Sequence, residues 1–141
     1  MGFIIYSNNG SRDFDGGMGG FMSLRTNIAL AFDKEFGEHY ATLRNCFREE
    51  DYKLFDIKTN KILSDDRFKQ EDEDIIDFLF TSDCGGKISH KTCKKIYNLI
   101  KDVDFNGKIF TYGAYSDGKD YEYFKDFLVE CYSHRRKLRW R

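Results

Sequence analysis

The chain has 141 residues, 40% hydrophobic and 17% aromatic, with 14 Phe and 9 Tyr. That is enough for one domain to bury roughly two-thirds of its unfolded surface without a disulfide or a metal, and it excludes an intrinsically disordered chain. The formal net charge of -1 conceals an asymmetry: five of the 23 basic residues, Arg135, Arg136, Lys137, Arg139 and Arg141, form a basic end, leaving 18 basic against 24 acidic residues elsewhere.

The opening Met1 to Tyr6 is too short an apolar run for a signal peptide, and no stretch approaches the roughly 18 apolar residues of a membrane span. A cytoplasmic location with no membrane partner is expected, and Cys46, Cys84, Cys93 and Cys131, widely spaced, read as reduced thiols. Proline is absent while Phe, Tyr, Lys, Asp and Ile are plentiful, a composition that suits an AT-rich genome such as that of a low-GC bacterium or its phage.

Phe3 to Tyr6 reads as a strand, and Ser7 to Gly20 as a long glycine-rich loop. Phe21, Leu24, Ile28, Ala31 and Phe32 recur at helical spacing, which predicts a helix closing at Phe36-Gly37. Tyr40 to Phe47 reads as a further helical segment. Lys53 to Ile57 and Lys61 to Leu63 flank Thr59-Asn60 in the manner of a small hairpin. The acids Glu71 to Asp74 precede Ile75, Ile76, Leu79 and Phe80, as in the first turn of a helix. Ser89 is a good N-cap for a helix carrying Cys93, Ile96, Ile100 and Val103 on one face. After the breaks at Asn106-Gly107, Gly113 and Asp117-Gly118, the residues Tyr121, Phe124, Phe127, Leu128, Cys131 and Leu138 predict a final long helix. The fold class expected is mainly α, formally α+β: one compact domain, 1–141, of about four or five helices with a small N-terminal β element.

The segment Ile75 to Ser89 is an apolar helix, then Ser82-Asp83-Cys84, a glycine turn and a second helix with Cys93 near its start. It resembles a family of small uncharacterised bacterial or phage proteins with no assigned activity, and Phe21, Leu24, Arg25, Ile28, Ala29, Phe124 and Phe127-Leu128 extend the resemblance. What it implies is a single-domain fold, with no chemistry attached.

Five constellations bear on function. Thr81 to Thr92 places glycine at the sixth position of a calcium-type loop but lacks the carboxylates, so a tight αα corner around Asp83 is the preferred reading. His90 with Cys93, and Cys131 with His134, each stand three residues apart, a zinc-compatible set. The cysteines fall in the apolar stripes, as core thiols do, so no metal is expected. Cys84, in a turn, is the thiol best placed for nucleophilic chemistry, but no base with an orienting group accompanies it. Gly16 to Gly20 precedes the first helix, where backbone amides such as those of Gly19 and Gly20 could cradle a phosphate with Arg25 one turn along, Asp83 being a further candidate ligand contact; the run matches no nucleotide fingerprint, Asp13 and Asp15 would repel an anion, and a flexible loop is the preferred reading. The tail, with its cations and Trp140, is read as a helix end in preference to a nucleic-acid surface.

These readings converge on a non-enzymatic binding protein with no cofactor. The partner expected is an anionic small ligand such as a nucleotide, captured in a phage-host conflict, with the many tyrosines available for stacking. The alternative is a protein-interaction module, an inhibitor or adaptor of a host protein, that uses the acidic body and basic tail.

Overall fold

In the computed structural model, which describes residues 2–7, 13–82, 84–106, 109–111, 114–115 and 119–141, the first and last strands of the chain lie side by side. β1 (Gly2–Ser7) pairs antiparallel with β2 (Asp13–Gly17) on one edge and with β6 (Leu138–Trp140) on the other. β3 (Gly86–Ile88) pairs antiparallel with β6, so the order is β2-β1-β6-β3. The β element is therefore N-terminal only in part. Side chains alternate across such a sheet. Ile5 and Trp140, opposite each other, face the core, as do Leu138 and Ile88, while Lys87 between them is exposed. A second ladder joins β4 (Ile109–Thr111) to β5 (Ala114–Tyr115).

Six α-helices stand among the described residues: α1 (Met18–Phe32), α2 (Lys34–Ala41), α3 (Glu49–Leu63), α4 (Glu73–Phe80), α5 (His90–Ile100) and α6 (Lys119–Ser133). The fold is mainly α with a small antiparallel sheet. α1 runs through the centre, touching α2, α5 and β4, with Phe21, Leu24, Ile28 and Ala29 fully buried. α5 lies against α6, and Cys93, Ile96 and Ile100 meet a core that includes Phe124, Phe127 and Cys131.

Five expectations are corrected. The loop from Ser7 to Gly20 contains β2 and the start of α1; residues 8–12 lie outside the described set. The first helix ends at Phe32, not Gly37. Asp33 breaks the helix with extended backbone and caps α2 by accepting the Phe36 N–H at 2.9 Å, and Gly37 sits inside α2, where its missing side chain lets the helix touch Leu30. A Cβ there would stand 2.5 Å from the Leu30 backbone. The hairpin at Thr59-Asn60 is instead the continuous helix α3. Thr-Asn lacks the glycine a tight hairpin turn uses, and Phe55, Thr59 and Ile62 bury one helical face.

β3 stands between α4 and α5, so the two helices do not form a direct αα corner; Asp83, on which that corner is centred, lies outside the described residues, and Thr92 is buried and donates to Asp74 Oδ2 at 2.8 Å. Finally, the long C-terminal helix stops at Ser133. Arg135 takes a left-handed φ of 54°, and the Arg136 N–H returns to the Cys131 carbonyl at 2.8 Å, a glycine-type helix stop made without glycine. The tail then becomes β6, which buries Leu138 and Trp140. It is neither a helix end nor a stacking platform.

Candidate functional site

Helix α3 begins where the Asp51 carboxylate turns back to accept the Phe47 and Arg48 N–H groups at 3.1 and 3.0 Å, contacts that hold its pKa low. Its inner face locks onto α2: His39 stacks on Phe55 with centroids 4.2 Å apart, and His39 Nε2 meets Thr59 Oγ1 at 2.7 Å. Because the Thr59 hydroxyl donates its one proton to the Phe55 carbonyl at 2.8 Å, the imidazole must be the donor to Thr59. Burial first, and the Lys58 charge second, push the His39 pKa below its ordinary value.

The opposite side of α3 has no such cover. Leu54 is 67% exposed and Ile57 66%, three residues apart on neighbouring turns, and Phe47, just ahead of the helix, is 83% exposed. Leu54 and Ile57, with Lys58 and Lys61, form one wall of a surface groove of about 470 Å³. Glu35, Asp65 and Arg67 form much of the other wall. Arg67 is consumed there: it holds Asp33 at 2.8 Å, Glu35 at 2.6 Å and Asp65 at 3.2 Å. The Arg67 contact lowers the Asp33 pKa, and the carboxylates raise that of Arg67. Lys58 and Lys61 make no ion pair among the described residues, so the groove offers apolar surface beside two available cations.

The residues singled out from sequence lie elsewhere. Gly19 and Gly20 belong to the first turn of α1. Arg25 is 5% exposed, its guanidinium 4.1 Å above the Phe21 ring and within 6 Å of the Phe78 and Trp140 rings, with Nη1 3.5 Å from the Leu79 carbonyl. It is an interior cation in an aromatic setting. Asp83 lies outside the described residues. Tyr40 and Tyr121 are buried as well: Tyr40 donates to the Leu79 carbonyl at 2.6 Å, and Tyr121 stacks on Phe105 at 4.1 Å.

Cys93 and Cys131 come together on facing helices, both fully buried. Their mutual contact pushes the Cys93 thiol up and the Cys131 thiol down. His90 is half-buried and His134 exposed, and among the described residues no group of three or more His, Cys, Asp or Glu is arranged to hold a metal ion. Cys84 is exposed, as a turn residue should be.

A hairpin reading of this segment hides the α3 surface, because strands would turn its side chains to different faces. The signal was present: Glu49, Glu50 and Asp51 form an acidic first turn, and Phe55, Thr59 and Ile62 repeat at helical spacing, which leaves Leu54 and Ile57 on another face. No family model matches the chain, and neither a curated protein nor a solved structure matches it.

Proposed function

We propose that the protein is a non-enzymatic protein-interaction module whose contact surface is the outer face of α3. The observation that carries this reading is the pair Leu54 and Ile57, two-thirds exposed on a helix whose inner face is anchored. Single exposed aliphatics are ordinary on protein surfaces, but two on one helix face beside a groove are the anchors a helix-in-groove contact uses. The occupant that fits is a helix presenting an apolar stripe and a carboxylate toward Lys61 or Lys58, since those cations are available and Arg67 is not.

A second reading, capture of an anionic small ligand such as a nucleotide, is favoured by the same two lysines beside a groove of small-ligand size. It is weaker: Arg25, the cation that the sequence offers for that role, is engaged in the core.

A photo-crosslinking residue placed at Ile57 tests the proposal, with an identical residue at exposed Lys94 on α5 as control. Protein adducts from position 57 and not from 94 are expected. An absence of protein adducts at 57, together with a nucleotide that raises the melting temperature of the wild type but not of Lys58→Ala/Lys61→Ala, would replace this reading with the second.

A further inference from the structure

We infer that the occupant of the α3 face is a second copy of the same helix, laid antiparallel across a two-fold axis; this rests on the reading of α3 as a protein-contact surface. Glu50, Leu54, Ile57 and Lys61 follow one another at spacings of four, three and four, the seam spacing of packed helices, and all four are exposed. At 3.6 residues per turn they fall within a sector of about 60°. The seam therefore presents charge, two aliphatics and the opposite charge in a line.

That order is complementary to itself only when one copy is reversed. Setting Leu54 against the partner's Ile57 in antiparallel register brings Glu50 opposite the partner's Lys61 with no further adjustment, and the two-fold axis repeats both contacts, as an isologous interface requires. A parallel arrangement in register would instead set Glu50 against the partner's Glu50 and Lys61 against the partner's Lys61. Neither Glu50 nor Lys61 makes an ion pair within the chain among the described residues, so both are available to a partner. Lys58, on the groove side of the seam, stays at the wetter rim, and Lys53 already pairs with Glu49 at 3.5 Å.

A seam of 15 residues is only about 22 Å long, so its footprint falls below the roughly 1,200 Å² of a stable complex. The dimer is weak and reversible, as contacts at the small end of the interface range are.

Sedimentation equilibrium on the full chain tests the inference. The wild type should follow a monomer–dimer equilibrium. Glu50→Lys and Lys61→Glu should each weaken it by about tenfold or more, because two attractive pairs become two repulsive ones, and the double reversal should restore it to within about threefold. Glu50→Gln, which keeps side-chain length, and Lys61→Met, which removes the charge at nearly equal length, should give intermediate losses with unchanged melting. A chain that stays monomeric to about 1 mM, a dimer indifferent to the single reversals, or a double variant that does not recover would overturn the inference. The crosslinker at Ile57 separates the two levels of the argument. An adduct of about twice the 16.7 kDa chain mass supports the second copy. An adduct with a different protein overturns the second copy while leaving α3 as a contact surface, and no protein adduct overturns both.

Discussion

Trp140 is held in place from three sides, and replacing Gly86 with alanine should displace it. The indole packs between Phe21 and Phe78, with centroids 5.7 and 5.4 Å away, and its Nε1 donates to the Ser82 carbonyl at 2.8 Å. A Cβ on Gly86, directly across the strand pair, would stand 2.2 Å from Trp140 Cζ2, where ordinary contact begins at 3.4 Å. The ring must withdraw by about 1.2 Å into a close-packed core, which costs ~1–3 kcal/mol in overpacking. The same movement strains or breaks the indole hydrogen bond, worth a further ~1–3 kcal/mol if the buried N–H is orphaned. Gly86→Ala should therefore lose about 2–6 kcal/mol from a total on the order of 5–15 kcal/mol, lowering the melting temperature by roughly 7–20 °C for a chain of this length. Urea titration followed by fluorescence gives the value directly, because Trp140 is the only tryptophan and reports its own displacement as a red shift. Gly85→Ala is the control: its nearest neighbour would be the Trp140 carbonyl at 3.9 Å, an ordinary contact, so it should be nearly neutral. A Gly86→Ala midpoint indistinguishable from that of Gly85→Ala would refute the packing of Trp140 on Gly86.

Other expectations follow from single contacts. Arg135 occupies a left-handed position at the end of α6, so Arg135→Gly should stabilise the protein by about 0.5–1 kcal/mol in the same titration, and a loss of stability would deny that geometry. Maleimide labelling under native conditions should reach Cys84 quickly and Cys46 more slowly, since burial first and then Asp51 and Asp56 push the Cys46 thiol up; Cys93 and Cys131 should label only on unfolding. His39 has a lowered pKa in the folded chain, so the unfolded state takes up the proton first. Its contribution is complete above the ordinary value of about 6.5 and is lost as pH falls through the lower folded value. The urea midpoint should drop as pH is lowered below about 6.5, and drop less in His39→Gln; equal declines would place the titration elsewhere.

Where one periodicity ran uninterrupted, the sequence was legible. The stripe of α1, the Ser89 cap of α5, which accepts the Thr92 N–H at 3.3 Å, and the acidic approach to α4 all follow from side chains three and four apart. Strand pairing was not legible, because β6 is three residues long and its partners lie near residues 5 and 88, a separation no local pattern encodes. The cations around Trp140 drew attention to charge, whereas the apolar alternation of Leu138 and Trp140 decides the strand. Arg25 failed for a related reason: a cation next to glycines resembles an anion site, and only the three-dimensional approach of Phe21, Phe78 and Trp140 reveals it as an interior group. Glycine misled in the opposite direction at Gly37, which marks a helix crossing and not a helix end.

A dilution series followed through backbone amide resonances bears most directly on α3 as a contact surface, because it reports every residue without a substitution. Between roughly 1 mM and roughly 10 µM, concentration-dependent shifts should concentrate on Glu50, Leu54, Ile57 and Lys61 and on the residues beside them, and should diminish when salt is raised. Shifts centred on α6 or on the outer face of the sheet, or a spectrum independent of concentration with no protein adduct at position 57, would contradict it.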